Sequence, residues 1–290
     1  MNTWEILQKL IHRFWDITDA PINVYAADHK APIELYSFAE LGLDYWSRED
    51  FKNRDVYSVW PDLEDMFARL MAGGWLVKAY GDRYRVTDRA QAAVQGMTRA
   101  GDQFLGQLRP IPVELLIQLV GQLRLVVDMC IAAPSPPHKW AILNRFRGID
   151  TSTPPLGLVR EMCMDLYAYR DDVHLYAWRG TYPMEGYVWN TLSLVWTGQA
   201  VTPEAMAQKL AFRGYVAADY RRSLEHLITL GWVQFDGEAY AITEQGSTVR
   251  SKVENLTDEY FYRPWGVLTG DTWTVMHNLL VSLLAGLQDQ

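Results

Sequence analysis

The chain repeats itself, and this limits what it can fold into more than any other feature. "GWLVKAYGDRYRVTDRA" (Gly74 to Ala90) and "GWVQFDGEAYAITEQG" (Gly231 to Gly246) share one plan. Each reads as a strand, a tight turn, a second strand and the start of a helix. Upstream, Asn23–Leu41 aligns without gaps with His174–Leu192. That pairs Tyr25 with Tyr176, Pro32 with Pro183, Glu34 with Glu185 and Tyr36 with Tyr187. Ser47 and Thr202 follow as matching helix N-caps, Thr87 matches Thr243, and Arg109-Pro110 matches Arg263-Pro264. Two copies of roughly 130 residues are too few and too long for a solenoid. The pattern implies a duplicated domain, with copies over 1–133 and 156–290 joined by a Pro- and Ser-rich linker over 134–155.

Apolar spacing fills each copy with helices. Pro61–Gly73 places Leu63, Met66, Phe67 and Leu70 on one face. Asp219–Gly231 does the same with Tyr220, Leu224, Leu227 and Ile228, and closes on a glycine. "TPEAMAQKL" begins with an N-cap and a proline at the first helical position. Long helices are expected at 112–131, after Thr243 and at 271–287, and a short one at 139–146 within the linker. The expected fold is therefore mainly α with small β-hairpin wings. The N-terminal segment reads as an amphipathic helix and not as a signal peptide. The most apolar run, Ile111 to Ala133, carries Glu114, Arg124 and Asp128, which favours a packed helix over a membrane span. The two cysteines, Cys130 and Cys163, lie in apolar helical patterns without metal-ligand spacing. A cytoplasmic location with buried thiols, and no metal or cofactor, is the expectation.

Helix, helix-turn-helix, two-stranded wing and long trailing helices is the order of a winged helix, and each copy resembles the MarR-like subset. In that family the flanking helices make the dimer, so the resemblance implies two tandem repeats forming an intramolecular pseudo-dimer. It also implies a transcriptional regulator that binds double-stranded DNA and takes a small aromatic ligand between the dimer helices and the winged core. Ala241–Trp265 is similar to a narrower family of little-characterised helix-turn-helix proteins. The matching positions are Thr243, Gly246, Arg250, Glu254, Thr257, Asp258, Pro264 and Trp265. The first copy departs from that pattern, with Gly101-Asp102 and Pro110-Ile111 at the corresponding places.

Charge opposes a DNA reader. The net charge is -8, divided as -4 over 1–133, +2 over 134–150 and -6 over 151–290. Phosphate binding then needs a local basic face. The recognition helix of the first copy presents Asp62, Glu64 and Asp65 against Arg69, but its wing is basic, with Lys78, Arg83 and Arg85. The second copy is the reverse: Arg221 and Arg222 stand on the helix, while the wing carries Asp236 and Glu238. The expected DNA contacts are Arg221, Arg222, Lys78, Arg83 and Arg85. The structural reading of the arginine pair is a solvated face bonded to Glu225.

Catalytic motifs are missing: there is no phosphate loop, no His-Glu-x-x-His and no cysteine pair. An enzyme is not expected. Asp171 and His174 stand three apart, yet Asn23 occupies the position of His174 in the other copy. The residues that both copies keep are the better ligand candidates: Tyr25, Glu34, Tyr36, Tyr176, Glu185 and Tyr187. A carboxylate among aromatics can hold a cationic or hydroxylated ligand, or it can form a plain Glu–Tyr hydrogen bond. The alternative overall reading is a ligand-binding or protein-interaction module that keeps the fold and no longer binds DNA.

Overall fold

A computed structural model describes residues 2–288. The fold is mainly helical with two small antiparallel sheets. The first half runs α1 (Thr3–Asp28), α2 (Glu34–Ser37), β1 (Tyr45–Trp46), α3 (Arg48–Arg54), α4 (Leu63–Ala72), β2 (Leu76–Lys78), β3 (Tyr84–Val86), α5 (Asp88–Leu105) and α6 (Val113–Ala132). A short α7 (Trp140–Asn144) follows. The second half runs α8 (Pro155–Arg179), α9 (Gly186–Trp196), α10 (Pro203–Lys209), α11 (Ala217–Thr229), β4 (Val233–Phe235), β5 (Tyr240–Ile242), α12 (Glu244–Tyr262) and α13 (Gly270–Gln288). Element order is thus the same in both halves, except that β1 has no counterpart.

The chain forms two compact units, and each is assembled from separate stretches. The first comprises 1–46, 70–173 and 260–290. Its core is one apolar cluster: Ile6, Leu10 and Phe14 of α1, Leu119 and Leu123 of α6, Val159 and Leu166 of α8, and Leu280 and Leu283 of α13. The helix starts are locally encoded. Asn2 accepts from the Glu5 amide at 2.8 Å and donates back to the Glu5 carboxylate at 3.2 Å, a reciprocal capping box. Strand order in this unit's sheet is β1-β3-β2, with Trp46 opposite Tyr84 and Leu76 opposite Val86.

In the same unit, side chains tie down the segment between α6 and α8. The buried Lys139 ammonium caps the end of α6, donating to the carbonyls of Cys130, Ile131 and Ala133. The Asp172 carboxylate accepts from the amides of Ala141 and Ile142 at 2.8 and 3.0 Å. α6 is long and apolar enough to cross a membrane by length and composition alone. Its Leu116, Leu119, Leu123, Val126 and Cys130 are buried in this core, while Ile117 and Leu125 remain exposed. Cys130 and Cys163 are buried and unbonded, and burial pushes both thiols up.

The second unit comprises 47–69 and 174–259. Stacked aromatics fill its core: Trp178 and Trp189 lie parallel with ring centres 5.4 Å apart, and Tyr182 packs on both Trp189 and Trp232. Ser47 and Thr202 cap α3 and α10 by accepting from Asp50 and Ala205 amides at 3.3 and 3.2 Å. Three of the four residues predicted to face the core on α11 do so: Tyr220, Leu224 and Leu227 are fully buried. Ile228 is 40% exposed, because the helical stripe is narrower than the apolar run. β4 and β5 pair Val233 with Ile242 and Phe235 with Tyr240. The Asp236-Gly237 turn closes the hairpin, with the Asp236 carboxylate accepting from the Glu238 and Ala239 amides.

Candidate functional site

In the second unit, α10 and α11 are joined by a tight turn. Gly214 adopts φ 79°, a left-handed conformation that favours glycine, and the chain re-enters helix at Ala217. Asp219 closes the start of α11 by accepting from the Val216 amide at 2.9 Å. Buried Tyr220, Ser223, Leu224 and Leu227 fix the inner face, which leaves Arg221, Arg222, Glu225 and His226 exposed. Arg221 donates to Glu204 of α10 at 2.9 Å, and Arg222 bonds Asp219 one turn back. Neither bond goes to Glu225, the partner that helical spacing suggests. Both arginine side chains stay more than half exposed.

The wing residues Lys78, Arg83 and Arg85 belong to the first unit. Lys78 lies over the Tyr84 ring at 4.1 Å, and Arg83 over Tyr45 and Tyr80 at 4.9 and 5.8 Å. Arg85 is exposed on the middle of β3.

The paired tyrosines and glutamates lie in different surroundings. Tyr25 stacks on His29 at 3.8 Å and crosses α5 at Gly96, where a side chain would meet its hydroxyl. Glu34 stands in the first turn of α2. Tyr176 is 42% exposed on α8. Glu185 precedes α9 without a side-chain cap bond. Tyr187 stacks on Tyr215 at 4.5 Å. Burial, followed by Tyr187 and Glu185, pushes the Tyr215 hydroxyl up to about 12.

Tyr36, alone of those six, lines a cavity of about 360 Å³ within the first unit. The deep wall of this cavity is charged. Glu161 of α8 accepts from Arg145 at 2.9 Å on one oxygen and from Arg160 at 2.9 Å on the other. Arg145 also bonds Asp165 at 2.8 Å, which Arg147 grips at 2.8 and 3.1 Å. Arg160 pairs with Asp102 of α5 at 3.2 Å. Burial opposes ionisation of Glu161, but its two arginines offset that and hold it below the ordinary value. Asp102 is pushed up to about 6, chiefly by burial and against the pull of Arg160. Burial also raises the Tyr36 hydroxyl. The repeat pairs Asp102 with Asp258, but neither it nor any motif singles out the rest of this network in the sequence. Its one signal is Arg160, Glu161 and Asp165 inside the otherwise apolar "LGLVREMCMDLYAY".

Thr243, Gly246, Arg250, Glu254 and Thr257 of the Thr243–Trp265 pattern make contacts that hold the fold. Thr243 donates to the Gly231 carbonyl at 2.6 Å and caps α12 by accepting from Gly246. Arg250 lies between Trp189 and Trp196 at 4.8 and 5.0 Å and bonds Glu254 at 2.6 Å. His174 accepts from the Trp189 indole at 3.2 Å, so its other nitrogen carries the proton and donates to Thr257 at 3.1 Å. That hydroxyl in turn donates to Val253. His174 is thus a hydrogen-bonded bridge in the core of the second unit. Among the described residues, no three His, Cys, Asp or Glu side chains gather as a metal site.

No curated protein and no solved structure matches the chain. Residues 156–290, which hold the α10–α11 pair and the hairpin after it, match the model of a helix-turn-helix family, and the C-terminal half accordingly carries a helix-turn-helix region.

Proposed function

We propose that the chain is a DNA-binding transcriptional regulator built from two MarR-like winged-helix repeats, 1–133 and 156–290, with 134–155 between them, paired as an intramolecular pseudo-dimer. Its affinity for DNA responds to a small ligand. The observation that carries the reading is the α10–α11 pair, whose second helix keeps Arg221, Arg222 and His226 outward within the region that matches the helix-turn-helix family. The ion pairs to Glu204 and Asp219 do not preclude phosphate binding. Exposed pairs of this kind contribute only about 0–1 kcal/mol, so an incoming phosphate can replace the carboxylate. Lys78, Arg83 and Arg85 are proposed as further backbone contacts.

The test is binding to random-sequence duplex DNA across a salt series, with Arg221→Ala/Arg222→Ala as the variant. For every phosphate that the variant no longer neutralises, the slope of log affinity against log salt should shrink by roughly 0.9. A second reading is favoured by the acidic wing, Asp236 and Glu238, and by the acids already paired with both arginines. In that reading the fold serves as a ligand-binding or protein-interaction module. Absence of DNA binding at low salt by the folded chain would select it.

A further inference from the structure

The cavity of the first unit has its charges sorted by depth. Its deep wall carries Arg145, Arg160 and Glu161, whose side chains are at most 8% exposed. That wall is net positive by one. The carboxylates that balance it, Asp102 and Asp165, do not line the cavity. Arg160 still has hydrogen-bonding capacity: its Nη2 donates to Glu161 and forms an ion pair with Asp102, while its Nη1 has no hydrogen-bond partner. Asp19, which also lines the cavity, is exposed and accepts from the Asn23 side-chain amide at 2.8 Å on one oxygen, and Glu40 is half-buried. The outer part of the cavity is therefore acidic. Apolar wall is supplied by Trp15, Ile22, Ile33, Phe146 and Met164.

This arrangement discriminates among ligand charges. A simple anion gains the arginines but meets the acidic rim. A simple cation gains the rim but leaves the Arg160 Nη1 without an acceptor. A molecule with a carboxylate at one end and an ammonium a few bonds away satisfies both. The volume, about 360 Å³, sits at the small end of the roughly 300–1,000 Å³ typical of ligand sites, which suits a monomeric metabolite.

We propose that this cavity binds a free α-amino acid, or a zwitterion of the same type, with an aromatic or branched apolar side chain. The carboxylate meets Arg160 and Arg145, the Tyr36 hydroxyl assists, and the ammonium faces Asp19 and Glu40. The side chain packs between Trp15, Ile33 and Phe146. The proposal gives a chemical class to the ligand of the regulator reading. Its test reads ligand binding alone, so either can fail without the other.

The experiment is calorimetric titration of the full chain with L-phenylalanine, L-leucine, 3-phenylpropionate and 2-phenylethylamine. At least one of the two amino acids is expected to bind. Each phenyl analogue, lacking one charge, is expected to bind at least about tenfold more weakly than phenylalanine if phenylalanine is the ligand, and to give no heat if leucine is. Arg160→Gln removes a buried partner of two carboxylates and can unfold the chain, so the decisive variant is the exposed Asp19→Asn. It should weaken amino-acid binding about two- to fivefold, with an unchanged unfolding transition. Three results overturn the proposal: 3-phenylpropionate binding as tightly as the amino acids, the amine binding best, or no heat from either amino acid up to about 10 mM with folded protein. Asp19→Asn leaving amino-acid affinity unchanged overturns the placement of the ammonium.

Discussion

Replacing Asp102 with Asn should make the protein's stability depend less on pH, and the size of the change follows from the burial of this carboxylate. Its side chain is 6% exposed, Arg160 stands 3.2 Å away, and Glu161 and Asp150 add negative potential. Burial raises the folded pKa from 3.8 to about 6. An acid raised on folding carries a penalty for being ionised. Below about pH 4 it is protonated in both states and the penalty is absent. Between about pH 4 and 6 the unfolded chain loses the proton first, and the penalty grows. Above that window it is constant, at about 3 kcal/mol for a rise of this size. Asparagine does not titrate. The stability of Asp102→Asn relative to the parent should therefore climb by roughly 2–3 kcal/mol from pH 4 to pH 7 and then level off. Urea unfolding of both proteins at a series of pH values measures this, since all other titrations cancel in the difference. A flat difference, or one that falls with pH, would refute the reasoning, because it would mean that attraction to Arg160 outweighs burial.

Four further outcomes are expected. Gly246→Ala places a Cβ 2.1 Å from the Trp232 carbonyl oxygen, a backbone atom that cannot move aside. A loss above about 3 kcal/mol in chemical unfolding is expected. Thr202→Ala removes the cap of α10 and should cost about 1 kcal/mol, seen as a small drop in Tm, with Thr202→Ser restoring most of it. Lys139→Met leaves the last carbonyls of α6 without their donor, and unfolding by urea should register a loss of about 2 kcal/mol. His174→Ala should destabilise the chain by a similar amount, since the indole of Trp189 and the hydroxyl of Thr257 lose a shared partner.

Much of the local structure is legible in the sequence. The Asp236-Gly237 turn, the caps at Ser47 and Thr202 and the apolar faces of α4 and α11 rest on neighbours within a few residues, which a linear pattern records. β1 is invisible to the same reading. Tyr45–Trp46 is two residues long, and only its pairing with Tyr84–Arg85, far along the chain, makes it a strand. Arg221 shows the same limit: its acid is Glu204, a helix away, and not the helical neighbour Glu225. The cavity is hidden from a linear reading because its charged wall draws on α8 and the segment after α7, neither of which signals a site alone. Comparison of the two halves picks out Tyr36, but it cannot find Arg145 or Arg160, which have no matching partner in that comparison.

The grip of Arg145 and Arg147 on Glu161 and Asp165 bears on autonomy. The match to the helix-turn-helix family begins at residue 156, after both arginines and before both acids. A polypeptide cut at that border would inherit the carboxylates and leave their counterions behind. Of the three arginines that hold Glu161 and Asp165, only Arg160 would remain. The border that sequence similarity draws is thus a poor place to divide the molecule, because it cuts through the first unit, whose core needs α1 and α6 as well as α8 and α13.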